Sequence, residues 1–165
     1  PISGEGGHVA LAAVNDRESD VLTQLRKDLG FVSAERVLSG FGMVNLYNAV
    51  LTLAGKERTS VDAAEITRLA LHDKDPIALE TLDLFCGFLG TVASDMALTL
   101  FATGGVFIAG GIIPKLGDAF AQSSFRSHFD DKGIYSELMQ TIPTMVITHT
   151  HPAFVGLSSM VLSRP

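Results

Sequence analysis

The sequence is poor in several features on which common functional classes depend. Its 165 residues include one cysteine and no tryptophan, and 18 acidic residues outnumber 12 basic ones, giving a formal net charge of -6. An acidic chain without a basic cluster has no positively charged surface with which to bind nucleic acid or an anionic membrane. The lone Cys86 provides neither a disulfide framework nor a metal-binding cysteine set, and it predicts a buried thiol in a reducing cytosol. We therefore expect a cytoplasmic protein that binds neither nucleic acid nor membrane.

Several short catalytic motifs are also missing. There is no G-x-x-x-x-G-K-S/T phosphate loop, no H-E-x-x-H zinc motif and no serine elbow. The stretch from Met96 to Pro114 has no charged residue and is long enough to cross a membrane. Because it contains two Gly-Gly pairs, it instead predicts the end of a helix followed by a buried strand.

The second of these glycine pairs organises the chain. Val106 to Ala109 is a short apolar run without polar alternation, which predicts a strand covered on both faces in a parallel sheet. Gly110-Gly111 then turns the backbone into a predicted helix over residues 114–123. In open α/β sheets such a turn lies where ligands bind, although a tight turn that binds nothing fits the motif equally well. A second strand is predicted over 145–148, parallel to the first, so the sheet is incomplete.

Helices dominate the rest of the chain. Apolar spacing and capping residues predict helices over about 16–28, 43–54, 62–72, 75–102, 134–140 and 152–162. Gly87 and Gly90 inside the longest helix predict close packing against a neighbour. Residues 8–12 are expected to form a short strand, and residues 125–133 a charged loop in which Asp130 and Asp131 are solvated.

Two loops hold the candidate site residues. Gly4-Glu5-Gly6-Gly7-His8 places a carboxylate and an imidazole three residues apart, a pairing that suits a polyhydroxylated ligand. An ordinary polar surface loop is an equal alternative. Glu35 alone is typical of a solvated helix charge or a partner for Arg36. His149 and His151 lack a carboxylate or cysteine nearby, so we predict no metal site there.

Taken together, five stretches in order resemble the C-terminal half of bacterial ATP-dependent glucokinases. That family has the two-domain hexokinase/actin-like fold, with a ribonuclease H-like ATPase domain of the α/β class. The resemblance covers nearly the whole chain and rests on Ser3-Gly4-Glu5-Gly6-Gly7-His8, Val32-Ser33-Ala34-Glu35-Arg36-Val37-Leu38-Ser39-Gly40, Val44-Asn45-Leu46-Tyr47, Gly104-Gly105-Val106-Phe107-Ile108-Ala109-Gly110-Gly111-Ile112 and Phe129-Asp130-Asp131-Lys132-Gly133.

The resemblance implies roles for particular residues. Glu5, His8 and Glu35 match family positions that hydrogen-bond glucose hydroxyls, and Gly110 and Gly111 match the glycines that contact adenosine. It also implies MgATP as co-substrate and transfer of the γ-phosphoryl group to the 6-hydroxyl of glucose. The alternatives are a non-catalytic sugar-sensing module of the same superfamily, or a hexose kinase with a different sugar preference.

The resemblance implies, too, that residues 1–165 are a fragment containing most of the larger, C-terminal domain. In the family, the small domain and the catalytic aspartate belong to the N-terminal half, so we expect no catalytic residue in this chain and no turnover by it alone. Family members are often homodimers. Relatives in the superfamily that bind structural zinc use a cysteine cluster, and the single Cys86 predicts none here.

Overall fold

The computed structural model describes residues 4–162, so that Ser3 of the first motif lies outside the described residues. Within that range helices predominate, and the only two strands form one small sheet. The elements are α1 (Asp16–Leu29), α2 (Gly40–Leu53), α3 (Ala63–Leu71), α4 (Pro76–Leu100), β1 (Val106–Ile108), α5 (Ile113–Leu116), α6 (Asp118–Ala121), α7 (Phe125–Asp130), α8 (Ser136–Thr141), β2 (Thr144–Val146) and α9 (Pro152–Leu162).

Helix starts follow local capping signals. The side chains of Asn15, Asp62 and Asp75 each accept a hydrogen bond from a backbone N–H in the first turn of α1, α3 and α4. Such a bond satisfies one of the amides that a helix start leaves without a partner. Gly30, at a φ of 75°, ends α1 as predicted.

Helix α4 forms the centre of the core and packs against α2, α3 and α7. A Cβ at Gly87 would lie 3.1 Å from Cε1 of His128, and one at Gly90 would overlap the carbonyl oxygen of Phe125. The predicted close packing at these two glycines is therefore confirmed, and α7 is the neighbour. By length and composition α4 could cross a membrane, but 67% of its apolar window is buried inside the fold, which is typical of a core helix.

The sheet consists of two parallel strands. β1 pairs with β2 in the register Val106 to Thr144 and Ile108 to Val146. The parallel pairing is confirmed, but the prediction that both faces are covered is wrong because Phe107 is 65% exposed. β2 begins at Thr144 and is only half-buried, so it is neither the fully buried strand nor the 145–148 span predicted.

Three other predictions are corrected by the structure. Residues 8–12 form no strand; a 3-10 turn over Gly6–His8 is followed by a single antiparallel bridge between Ala10 and Ser33. The helix expected over 114–123 is divided at Gly117, whose φ is 51°. The expected loop over 125–133 begins with helix α7.

Helix α7 forms because its apolar side chains lie one turn apart. Phe125 and Phe129 are buried and stack with their ring centroids 6.0 Å apart. Asp130 is not the solvated charge expected, since Nη2 of Arg126 lies 2.7 Å from its Oδ1.

Candidate functional site

Two short turns carry the candidate sugar-binding residues. The turn at Gly6–His8 presents Glu5 and His8, and a second 3-10 turn, Ala34–Arg36, presents Glu35. The amide of Leu11 donates to the Val32 carbonyl at 3.1 Å. The amide of Ala34 donates back to the Val9 carbonyl at 3.0 Å. These backbone bonds hold the two turns side by side.

The three side chains converge as the resemblance implied. Nε2 of His8 lies 3.4 Å from Oε2 of Glu35, and its Nδ1 lies 3.8 Å from Oε2 of Glu5. The side chains of Glu5, His8 and Glu35 are 89%, 67% and 59% exposed. Both separations exceed the length of a good hydrogen bond, so most of the hydrogen-bonding capacity of the cluster is directed to solvent or a ligand.

Of the two local interpretations of Glu35, the pairing with Arg36 is not seen in the structure. The carboxylate, whose side chain is 59% exposed, instead lies 3.4 Å from the His8 ring on the neighbouring turn. Arg36 instead contributes its backbone carbonyl, which accepts from Nδ2 of Asn45 at 3.0 Å. That bond ties the Glu35 turn to α2, so a packed helix fixes the position of the second carboxylate.

Gly110 and Gly111 form a separate feature immediately after β1. Gly110 has a φ of 139°, which favours glycine, and both residues are exposed with nothing within 4 Å of where a Cβ would stand. Gly111 also lines a cavity of about 320 Å³. The backbone at this turn is therefore open to close approach by a ligand.

A second cavity lies beside the Gly6–His8 turn. It measures about 240 Å³ and is lined largely by apolar side chains, including Val9, Met96 and Leu100. It includes none of the three candidate sugar-binding side chains. Because a polyhydroxylated ligand needs hydrogen-bond partners when buried, the open cluster and not this cavity has the chemistry for a sugar.

The described residues give no support for a metal site at the two C-terminal histidines. Nδ1 of His149 accepts from the backbone N–H of His151 at 3.0 Å, so this ring nitrogen already has a partner. Within residues 4–162 no group of three or more His, Cys, Asp or Glu side chains is arranged to hold a metal ion.

Sequence reasoning did not single out Lys115, which lines the cavity at Gly111, or Phe41, which shares a second cavity with Lys115 at the first turns of α2 and α3. The position of Lys115 four residues after Gly111 was an available signal. No sequence signal marked Phe41, because its exposure at the start of α2 depends on how that helix packs.

Comparison with known proteins places these features in context. A model of the glucokinase family matches residues 1–164. The glucokinase of Paramagnetospirillum magneticum is 47% identical over 160 residues, which cover 97% of this chain and 50% of that protein. The bifunctional protein glk of Paraburkholderia xenovorans is 43% identical over 167 residues, covering 99% of this chain and 26% of that protein.

Solved structures agree on the fold. A crystal structure of glucokinase from an Antarctic psychrotroph matches with a TM-score of 0.92 and 37% identity, over 99% of this chain and 51% of that one. The glucokinase of Balamuthia mandrillaris, solved in complex with glucose, matches with a TM-score of 0.77 and 24% identity, which supports the fold alone. The chain spans about half the length of most of the curated relatives it matches.

Proposed function

Since the chain belongs to the glucokinase family, we propose that the protein containing it transfers the γ-phosphoryl group of ATP to the 6-hydroxyl of glucose. The observation that carries this proposal is the convergence of Glu5, His8 and Glu35 from two turns joined by backbone hydrogen bonds. The chain supplies the sugar-binding and nucleotide-binding surfaces of a larger active site. It works in the cytoplasm as part of a longer polypeptide that forms a homodimer.

On the sugar side, the chemistry of the cluster suits glucose hydroxyls. The carboxylates of Glu5 and Glu35 accept hydrogen bonds from hydroxyl groups, and the His8 ring donates or accepts according to its tautomer. Hydrogen bonds to charged groups contribute about 1.5–3 kcal/mol each, so loss of one carboxylate weakens sugar binding by roughly 10- to 150-fold. Three such groups also fix the orientation of the ring, which phosphoryl transfer requires.

On the nucleotide side, the open backbone of Gly110 and Gly111 suits ATP. One carboxylate, Asp62, lines the cavities beside this turn, and its Oδ1 accepts from the amide of Glu65 at 2.8 Å. The fit is therefore to the nucleotide itself, and Mg²⁺ would be held by the phosphates together with the remainder of the polypeptide. Bound Mg²⁺ would neutralise charge that develops on the phosphates.

The catalytic base is expected outside this chain. General-base removal of the proton from the 6-hydroxyl needs a carboxylate within hydrogen-bond reach of that oxygen. The resemblance to the family implies that the catalytic aspartate, like the smaller domain, belongs to the rest of the polypeptide. The 165-residue chain on its own should bind sugar weakly and show no turnover.

Steady-state kinetics of the complete gene product test the proposal. The assay couples formation of glucose 6-phosphate to NADP reduction, with Glu5→Gln and Glu35→Gln compared with the exposed loop residue Glu57→Gln as the matched control. We expect at least a roughly 10-fold rise in the glucose KM for each site variant, with the ATP KM unchanged. Unchanged glucose kinetics in both variants would remove these residues from the sugar site.

The same preparation separates the alternatives. Glucose binding without phosphorylation would favour a sugar-sensing module. A higher kcat/KM for another hexose than for glucose would redefine the substrate.

A further inference from the structure

A separate cavity lies between the end of α3, the first half of α4 and the short helices α5 and α6, and we call it the α3–α6 cavity. It measures about 230 Å³. None of its lining residues also lines the cavity beside the Gly6–His8 turn or the cavities beside Gly111. Because sites for drug-sized ligands measure about 300–1,000 Å³, this cavity suits a more compact molecule.

Much of the lining of the α3–α6 cavity is aliphatic. Four leucine side chains from three helices contribute to it: Leu71, Leu79, Leu82 and Leu116. Leu82 and Leu116 are buried, whereas Leu79 is 40% exposed. An aliphatic group that entered the cavity would remove its own apolar surface and that of these side chains from water, which favours binding.

Lys74 gives the same cavity a cation. Within the described part of the chain its ammonium group has no hydrogen-bond or ion-pair partner. Its backbone has a φ of 56°, in the left-handed region that disfavours lysine. The turns that end α1 and α2 instead place glycine in this region, Gly30 at 75° and Gly55 at 69°. A lysine at a position where glycine folds with less strain indicates a use for its side chain.

Asp83 gives the cavity the opposite charge. Its two carboxylate oxygens accept from the amide and the hydroxyl of Ser124 at 2.8 and 2.6 Å. Each carboxylate oxygen can accept more than one hydrogen bond, so the exposed Asp83 retains capacity for an ammonium group. A ligand with only a negative charge would be attracted by Lys74 but repelled by Asp83, whereas a ligand with both charges is attracted by both.

We propose that the α3–α6 cavity binds a free α-amino acid with an aliphatic side chain, such as leucine, as an effector. The α-carboxylate pairs with Lys74, the α-ammonium group pairs with Asp83, and the aliphatic side chain packs against the leucines of the lining. This assignment combines the two charges, the aliphatic surface and the small volume in one class of ligand.

The position of the cavity connects it to the glycine turn. Leu116 of α5 lines the cavity, and only Ile112 separates Gly111 from the first residue of that helix. A bound amino acid would hold α5 against α4 and so restrict the turn before a nucleotide arrives. We therefore expect positive coupling between the amino acid and the nucleotide. The binding site itself goes beyond the proposed function, and only this coupling rests on it.

Calorimetric titration of the complete gene product with L-leucine tests the site. We expect saturable binding that is weakened at least about 10-fold in Lys74→Gln and Lys74→Gly. Lys74→Gly should also keep or raise the urea midpoint, because glycine adopts the left-handed backbone without strain. Ala119→Leu, which fills the cavity, should abolish binding, and Lys27→Gln, exposed on α1, is the matched control. Unchanged affinity in both Lys74 variants, or no binding up to about 10 mM leucine, would overturn the assignment.

Two analogues of leucine test the charge pairing. 4-Methylpentanoate lacks the ammonium group and 3-methylbutylamine lacks the carboxylate, so each should bind at least about 10-fold more weakly than leucine. If either analogue binds as tightly as leucine, the assignment to an amino acid is overturned.

Coupling to the nucleotide separates this proposal from the proposed function. Leucine should lower the Kd for ADP about 5-fold or more, and ADP should lower the Kd for leucine by the same factor, because linkage is reciprocal. Binding of leucine with no change in the Kd for ADP would overturn the effector role. If the wild type phosphorylates glucose but does not bind leucine, the cavity assignment fails and the proposed function stands. If the wild type has no kinase activity, the proposed function fails, and the leucine titration still decides the cavity.

Discussion

Replacement of His128 by alanine should destabilise the protein far more than replacement of its partner, Glu18, by glutamine. Glu18 is 1% exposed, and its Oε1 lies 2.7 Å from Nε2 of His128, whose side chain is 15% exposed. The other carboxylate oxygen accepts from the amide of Val14 at 2.8 Å. Nδ1 of His128 lies 2.8 Å from the carbonyl oxygen of Ser124, so this nitrogen carries a hydrogen. Each polar atom of the pair therefore has a partner.

The two substitutions leave different groups unsatisfied. His128→Ala leaves a buried carboxylate whose only remaining partner is an amide, a loss of about 3–5 kcal/mol in the free energy of unfolding. In Glu18→Gln, the amide oxygen still accepts from Val14, and the amide nitrogen can donate to Nε2 of a neutral His128 ring whose hydrogen lies on Nδ1. Only the second amide hydrogen lacks a partner, so the expected loss is about 1 kcal/mol.

Urea unfolding followed by far-ultraviolet circular dichroism measures the difference, because the chain has no tryptophan to report by fluorescence. The urea concentration at the unfolding midpoint should fall sharply for His128→Ala and slightly for Glu18→Gln. The slope of the free energy of unfolding against urea concentration should be unchanged in both variants. A loss below about 1 kcal/mol for His128→Ala, or a larger loss for Glu18→Gln, would contradict the reasoning from buried charge.

Two further predictions concern the central helix. Gly90→Ala should cost about 1–3 kcal/mol, because its Cβ would overlap the carbonyl oxygen of Phe125 and force α7 away from α4. Gly156→Ala, in open space on α9, is the control and should be neutral or stabilising, as read from urea midpoints. Burial raises the pKa of the Cys86 thiol from its ordinary 9.0 to about 11, so native protein should resist iodoacetamide at pH 8 and react once unfolded. Equal rates of iodoacetamide reaction in native and unfolded protein would refute the burial of the thiol. The raised pKa also means that the contribution of the neutral thiol to the free energy of unfolding is intact below pH 9 and falls as the pH rises towards 11.

Local signals predicted most helix positions, and they failed where tertiary packing decides the outcome. Charges in the segment 125–133 favoured a loop, yet the segment begins with α7, because Phe125 and Phe129 bury one face of a single turn and a half against the core. A helix of six residues is not stable by propensity alone, so its formation depends on that packing. The expected strand at residues 8–12 does not form, because it lacks the tertiary partners that a strand needs. In the described chain it has only one bridge, at Ser33, instead of a strand on either side.

The sequence by itself determined the starts of α1, α3 and α4, the parallel pair of strands, the open glycine turn and the family to which the chain belongs, because each depends on neighbouring residues or on ordered motifs. Only the tertiary structure decided that Glu35 meets His8, that Lys115 has no counter-ion in the described chain and that Glu18 meets His128. The last two residues are 110 positions apart. Contacts at such separations depend on how helices pack, and no local pattern of residues encodes the distance between two side chains brought together by a shared core.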